Sequence, residues 1–247
     1  MITTHEVFGD RKNEIEFYYS VMVDIDDETK NALNTIDNQR FFRIMKSNFL
    51  LMLYNLVEAT FTTGMLEIYE QLERENCSYG AVIDEIQNIW RDYKIKEIYK
   101  PESGLTTYTN RVRNIVLDIT QNTPLALTKG MLGVNGNLNA KQIKDICDRH
   151  RIRYQVTDDR QVLEKVKKKR NSLAHGDESF SHCARDLTLT DLETIKDTVI
   201  QFIQEILPVW RSIATKSSFY VMPNLSWQHH GNKKSDSPNY LDNENNT

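Results

Sequence analysis

The amino-acid sequence predicts an all-α fold. Glycine and proline are scarce, at 9 and 5 of 247 residues, and long stretches contain neither. Because both residues interrupt helices, their scarcity is typical of helical proteins rather than of sheets with frequent turns. Hydrophobic residues make up 39% of the chain and charged residues 27%, which is enough apolar material to bury a core. We therefore predict one helical domain over residues 1–215, built on a long central helix.

Two long helices are predicted in the first third of the chain. Apolar residues recur at spacings of three and four between Ile15 and Ile25, and Thr3 with Glu6 is a candidate capping pair before them. The second helix, from Asn38 to Glu75, is apolar on nearly all sides in its middle, FLLMLYNLVEATF. This pattern predicts burial among neighbouring helices. Its longest uninterrupted apolar run is far below the about 20 residues of a membrane span, so we expect no membrane partner.

The remaining helices are bounded by residues that start or stop helices. Two shorter helices are predicted over 81–99 and 105–119, separated by Pro101 and Gly104. Two more are predicted over 140–150, capped by Asn139, and from a cap at Asp158 or Asp159 to His175, stopped by Gly176. The last helix is predicted to begin at a capping box of Thr190 and Glu193 and to kink at Pro208.

Two further features of the sequence are a polar C-terminal segment and three scattered cysteines. Residues 216–247 are rich in Asn, Ser, Asp and Lys, which predicts a largely disordered C-terminal tail. The three cysteines, Cys77, Cys147 and Cys183, are an odd number at scattered spacings. A disulfide framework is therefore not expected, and the reducing cytoplasm is the predicted compartment.

Positive charge is concentrated in one segment of an acidic protein. Lys and Arg number 31 against 35 Asp and Glu, a net charge of -4, which excludes a uniformly basic coat for nucleic acid. Residues 141–170 contain 11 basic and 5 acidic residues, a surplus of 6, so the remainder carries -10. The candidate RNA-binding residues in this segment are Lys165, Lys167, Lys168 and Lys169. Such a cluster suits a phosphate backbone, and a solvated helix face is the alternative.

The basic cluster continues into the sequence RNSLAHG, which contains Arg170, Asn171 and His175. On a regular helix Arg170 lies beside the apolar stripe of Val162, Val166 and Leu173, whereas His175 lies about 140° round from it. Asn171 and His175 share a face. A site that uses both the arginine and the histidine is therefore easier to build from a distorted helix end or from two packed copies.

Two other patterns are weaker. The glycines of GMLGVNG lack a preceding strand and a GK[ST] ending, so they do not make a phosphate cradle. Four residues with metal-binding side chains, Cys147, His150, His182 and Cys183, invite a zinc interpretation. Buried cysteines and loop histidines explain them without a metal. We predict no metal site and no cofactor.

Several stretches together resemble the HEPN superfamily, and in particular the MAE-type HEPN families of bacterial defence and toxin–antitoxin loci. The stretches are FGDRKNEIEFY, FFRIMKSNFLLMLYNLVEAT, GNLNAKQI and RNSLAHGDESF. The resemblance implies a HEPN-like helical bundle and a metal-independent endoribonuclease, in which a ribose 2′-hydroxyl attacks the adjacent phosphate. It implies that Arg170 stabilises the charged phosphorane, that His175 transfers protons, and that Asn171 orients one of the reacting groups.

The resemblance also implies partners: an RNA substrate, a second copy of the chain in a homodimer, and an antitoxin or another protein of a defence system. Two alternatives stay open. One is a noncatalytic HEPN module that binds RNA or a nucleotide, and the other is a helical protein-interaction subunit whose basic helix docks an acidic partner. Loss of cleavage with retained RNA affinity in a His175→Ala protein would separate the enzyme from the binding module, and a lack of RNA affinity would favour the interaction subunit.

Overall fold

The computed structural model describes residues 1–27, 36–98, 104–134, 136–155, 160–215 and 219–220. Within these ranges the regular structure is helical, with two isolated β-bridges, so the prediction of an all-α fold is confirmed. The α-helices, in chain order, are α1 (Ile2–Asp26), α2 (Ile36–Arg74), α3 (Asp84–Ile98), α4 (Leu105–Thr120), α5 (Lys129–Leu132), α6 (Ala140–Arg149), α7 (Arg160–His175), α8 (Phe180–Cys183) and α9 (Leu189–Thr215). A short 3-10 helix spans Tyr79–Ala81.

Helix α2 is the centre of the bundle, as its all-round apolar sequence predicts. It contacts α1, α5, α7, α8 and α9, and side chains such as Phe49, Leu53 and Leu56 are fully buried. By length and composition α2 could cross a membrane, yet 61% of its most apolar stretch is buried inside the protein. The other helices therefore cover most of its apolar surface.

A glycine allows α9 to pack closely against α2. A Cβ atom added to Gly64 would lie 2.5 Å from Cε3 of Trp210, which is far inside van der Waals contact. Trp210 is buried and meets Phe61 edge-on, with ring centroids 5.3 Å apart. The glycine in this long helix thus makes room for the indole of its neighbour, at a cost in helix propensity of about 1 kcal/mol.

The N-terminal cap of α1 differs from the predicted one. The predicted cap of Thr3 and Glu6 is wrong, because α1 begins at Ile2 and its first amides are capped by α2. The amides of Thr3 and Thr4 donate to the Glu67 carboxylate over 3.1 and 3.2 Å. Burial opposes ionisation of Glu67, but the bonds from Thr4 and the terminal ammonium group prevail and lower its pKa.

Most other boundaries lie within a few residues of their predictions. Asn139 caps α6 by accepting a bond from the Gln142 amide over 2.8 Å, as predicted. The capping box of α9 lies two residues earlier than predicted, because Thr188 and Asp191 exchange backbone and side-chain bonds. Pro208 lies inside α9. The predicted caps Asp158 and Asp159, and the predicted breaker Pro101, fall outside the described residues.

Two residues of the predicted C-terminal tail pack on the bundle. The Phe219 carbonyl accepts a bond from the Ile83 amide over 2.9 Å, and its side chain is buried. Tyr220 forms a β-bridge with Val82. The chain therefore returns to the start of α3 after α9, and the rest of the predicted tail lies outside the described residues.

Candidate functional site

Helix α7 carries the predicted site residues and packs against α2 through its apolar stripe. Val166 and Leu173 are buried and Val162 is partly buried within the single chain. The helix stays α-helical to His175, and Gly176 follows with a φ of +77°. This left-handed conformation ends the helix, as predicted, and suits glycine because it has no side chain to clash. Of the two ways to build a site from Arg170 and His175, a distorted helix end is therefore not present in this chain.

Three contacts orient Arg170 in the folded protein. Its guanidinium carbon lies over the ring of Tyr54, 4.8 Å from the centroid. Its Nη1 donates to Oδ1 of Asn171 over 3.0 Å. On its other side, a Cβ atom added to Gly136 would lie 3.3 Å from Nη2. The cation is thus held between an aromatic face, an amide and a glycine backbone.

Tyr54, whose ring lies under the Arg170 guanidinium, was not predicted from the sequence to be part of the site. Only 2% of its surface is exposed, and its hydroxyl accepts a bond from the Leu138 amide over 3.0 Å. Burial, followed by a hydrogen bond with Glu58, raises the pKa of Tyr54 to about 12. The phenol therefore stays neutral, and its ring face contributes a cation–π interaction with Arg170 of about 0.5–2 kcal/mol.

The loop before α6 runs along α7 and bonds to two of its residues. Nδ2 of Asn171 donates to Oδ1 of Asn137 over 2.8 Å, and Nδ2 of Asn139 donates to Glu164 over 2.7 Å. Gly136 has a φ of +69°, a conformation that glycine adopts without strain. The glycines of this segment were not predicted to form a phosphate cradle. In the structure this stretch supports the motif on α7 instead.

His175 lies in a different environment from Arg170. Its side chain is exposed, and it makes no hydrogen bond or ion pair with another part of the chain that the structure describes. On the regular helix it points about 140° away from Arg170 and about 40° from Asn171. The structure thus joins Arg170 and Asn171 by a hydrogen bond within one chain, whereas His175 shares a helix face with Asn171 but bonds to neither.

The four predicted RNA-binding lysines differ in their partners. Lys165 and Lys168 are exposed, whereas Lys167 and Lys169 are partly buried. Lys169 forms an ion pair of 3.2 Å with Glu178. Glu164 lies 3.7 Å from Lys167 and 3.9 Å from Lys168. A surface groove of about 490 Å³ is lined by residues that include Lys165, Lys168 and Lys169, so these three ammonium groups share one surface.

The residues of the zinc interpretation do not converge. His150 is fully buried; its Nε2 lies 2.6 Å from the Tyr69 hydroxyl and its Nδ1 lies 2.7 Å from the Ile146 carbonyl. Burial lowers the pKa of His150 to about 4. The imidazole is therefore neutral, and both of its nitrogens are hydrogen-bonded within the core. Across the described residues, no three His, Cys, Asp or Glu side chains are grouped so that they could hold a metal ion.

A second group of residues around Arg170 comes from distant parts of the chain. A pocket of about 560 Å³ lies between α1, α2, α5 and α7, and its lining includes Arg11, Asn55, Lys129 and Arg170. Sequence reasoning did not single out Arg11 or Lys129 as functional residues. The available signal was that Arg11 lies in FGDRKNEIEFY, one of the stretches that carry the resemblance.

Arg170, Asn171 and His175 lie at the end of α7 in an all-helical domain, in the order that the HEPN resemblance predicts. A family model described as HEPN_MAE_28990-like HEPN matches residues 4–216. The chain therefore belongs to this MAE-type HEPN family, as the resemblance predicts. No curated protein and no solved structure matches the chain. HEPN domains generally cleave RNA or bind nucleotides.

Proposed function

We propose that this protein is a metal-independent endoribonuclease that acts as a homodimer in a bacterial defence or toxin–antitoxin system. The observation that carries the proposal is the placement of Arg170. Its guanidinium is oriented by Tyr54 and Asn171 on the helix that ends at the exposed His175. An oriented cation and an accessible imidazole are the two kinds of group that phosphodiester cleavage by a ribose hydroxyl requires.

The proposed reaction uses only the RNA and these side chains. A neutral His175 removes the proton from a ribose 2′-hydroxyl, and the 2′-oxygen bonds to the adjacent phosphorus. The bond from phosphorus to the 5′-oxygen breaks, and a protonated histidine gives that oxygen a proton. The products are a 2′,3′-cyclic phosphate and a free 5′-hydroxyl. Arg170 stabilises the extra negative charge of the phosphorane through its planar fork, and Asn171 holds the arginine in place.

The separation of the two groups supports the proposed homodimer. Within one chain Arg170 and His175 point about 140° apart on a regular helix. Two copies of α7 that face each other across a two-fold axis can line one cleft with both arginines and both histidines. One histidine is then available as the base and the other as the acid. The same arrangement doubles the local positive charge contributed by Lys165 and Lys168.

The proposed cellular setting rests on the family. We propose that the protein acts in the cytoplasm and that an antitoxin or another protein of the defence system restrains it. Growth of cells that express the wild-type chain, compared with cells that express His175→Ala at the same level, tests this setting. Growth arrest by wild type alone supports a toxin, and equal growth contradicts it.

The test of the reaction is incubation of the purified protein with total RNA in the presence of EDTA, followed by mapping of new ends. We expect cleavage by wild type and none by His175→Ala. His182→Ala is the matched control, because His182 is also exposed but lies on α8, outside the motif. Activity that vanishes in chelator and returns with added metal would refute the mechanism. RNA binding without any cleavage would favour the noncatalytic binding module instead.

A further inference from the structure

The pocket beside Arg170 has the composition of an anion site. Its lining includes three cations, Arg11, Lys129 and Arg170, and one carboxylate, Glu58. The pocket therefore carries a local surplus of positive charge in a chain whose net charge is -4. Its volume of about 560 Å³ is within the range of sites that bind small ligands or single nucleotide units.

Arg11 and Lys129 in this pocket have no paired counterion among the residues that the structure describes. Arg11 and Lys129 form no hydrogen bond or ion pair with any residue that the structure describes. By contrast, the exposed Lys144 is paired with Asp148, and the buried Lys196 is paired with Glu16. Glu58 is engaged by the Tyr54 hydroxyl. Like charges that share a concave surface raise the local potential, and a bound anion relieves their repulsion.

The side chains of the pocket also indicate which anion it takes. The guanidinium groups of Arg11 and Arg170 can each bind two phosphate oxygens, and the Lys129 ammonium adds a point charge. The Asn55 amide and the Thr63 hydroxyl supply neutral donors. The Glu58 carboxylate repels a bare inorganic anion but can accept a hydrogen bond from a ribose hydroxyl. This combination favours a phosphate that is attached to a sugar.

We propose that this pocket binds a backbone phosphate and ribose of the RNA strand next to the phosphate that is cleaved. The inference rests on the proposed function, because Arg170 belongs both to the pocket and to the proposed catalytic motif. Arg11 and Lys129 then hold the strand on the Arg170 side of α7. A substrate that occupies the pocket continues from there toward the end of the helix.

The experiment measures binding rather than cleavage. Binding of a short unmodified RNA is measured in chains that also carry His175→Ala, so the ribose hydroxyls are kept, cleavage is suppressed and the affinity reports on contacts alone. Arg11→Gln and Lys129→Gln should each weaken binding about fivefold and reduce the slope of log affinity against log salt by about one. Lys12→Gln is the matched control for Arg11→Gln. Lys12 lies on the same helix as Arg11 but does not line the pocket, and its substitution removes the same charge. It should change both quantities by much less.

A substitution of opposite sign makes the test sharper. Glu58→Gln removes the negative charge of the pocket but keeps an oxygen that can bond to Tyr54, so RNA affinity should rise about twofold to fivefold. Unchanged affinity and salt slope in Arg11→Gln and Lys129→Gln would overturn the proposal. So would equal losses in Lys12→Gln, because the effect would then be one of net charge.

Inorganic phosphate separates the two possible sources of the anion. Phosphate that binds wild type but not Arg11→Gln, with RNA affinity equal in both, would overturn the assignment to RNA and leave a free-phosphate site. A different result would show that the proposed ribonuclease function is wrong. RNA that binds through the pocket but is never cleaved by the wild-type protein would defeat the ribonuclease and support the pocket.

Discussion

Arg170 and His175 lie on the same helix in opposite kinds of environment. Arg170 is partly buried, stacked on Tyr54 and bonded to Asn171. His175 is exposed and bonds to none of the described residues. Helix geometry explains the difference, because the five-residue spacing turns one side chain toward the bundle and the other toward solvent.

The difference shows which part of the proposed site the single chain builds by itself. A cation that folding has already oriented needs little reorganisation when charge develops on the phosphate. A histidine that transfers protons must reach the reacting oxygens, so its partners have to come from the RNA or from a second copy. In this interpretation the arginine half is complete in one chain and the histidine half is completed by assembly.

The largest expected effect tests whether the histidine half needs two chains. His175→Ala should reduce cleavage by a factor of about 10² to 10⁴. When wild-type and His175→Ala chains are co-expressed in equal amounts, the mixture should keep about a quarter of the activity of the same amount of wild-type protein. Only wild-type homodimers, about a quarter of all dimers, keep both histidines. The measurement is the initial rate of RNA cleavage at fixed total protein. About half of the activity would indicate a site that is complete in one chain.

The next effect tests the anchored arginine. Tyr54→Leu removes the ring under Arg170 and should lower kcat about tenfold, given a cation–π contribution of about 0.5–2 kcal/mol. Tyr54→Phe keeps the ring but leaves the Leu138 amide without its acceptor, so it should lower the free energy of unfolding by about 1–3 kcal/mol and lower kcat less than the leucine variant. Equal kcat values in the two variants would show that the ring does not orient Arg170.

A smaller effect is expected from the glycine beside the guanidinium. Gly136→Ala puts a side chain at a φ of +69° and 3.3 Å from Nη2 of Arg170, which should cost about 1 kcal/mol of stability and slow cleavage severalfold. Gly9→Ala is the control, because an added Cβ meets nothing within 4 Å and α1 should become slightly more stable. Thermal unfolding and cleavage rates are measured on both proteins. Equal cleavage rates in both would contradict the role of Gly136.

The smallest effect distinguishes two lysines of α7. Lys168→Gln should weaken RNA binding about threefold. Lys168 is exposed, and its distance of 3.9 Å from Glu164 is longer than the distance of Lys169 from Glu178. Lys169→Gln should change RNA affinity less, because Lys169 already pairs with Glu178 at 3.2 Å, and should instead lower stability slightly. The affinity of His175→Ala chains for unmodified RNA, measured as a function of salt, checks the order. A larger loss in Lys169→Gln would reverse it.

Local sequence patterns were sufficient for the helices and for the residues of the motif. The apolar periodicity of α2 and the Asn139 cap of α6 depend on neighbours within a few turns, and both are confirmed. Gly176 stops α7 as predicted. The order of Arg170, Asn171 and His175 was visible directly, since a linear motif needs no knowledge of the fold. Their roles remain part of the proposal.

Contacts between distant residues could not be predicted in the same way. Glu67 caps α1 across 63 or 64 residues, so the local pair of Thr3 and Glu6 was wrong for α1. The amide of Leu138 and the hydroxyl of Tyr54 are separated by 84 residues. Such pairs form because packing buries a carboxylate or a phenol that must then find a partner. Many residues along the chain could have been that partner.

The sequence by itself determined the helical class, the apolar faces and the presence of an arginine and a histidine on one helix, because these depend on residue chemistry and on a period of 3.6 residues. Only the tertiary structure decided that Arg170 rests on Tyr54 and shares a pocket with Arg11 and Lys129. It also decided that Gly64 receives Trp210. These outcomes depend on how helices pack, and packing is set by the shapes of all the side chains at each interface together rather than by any one stretch of sequence.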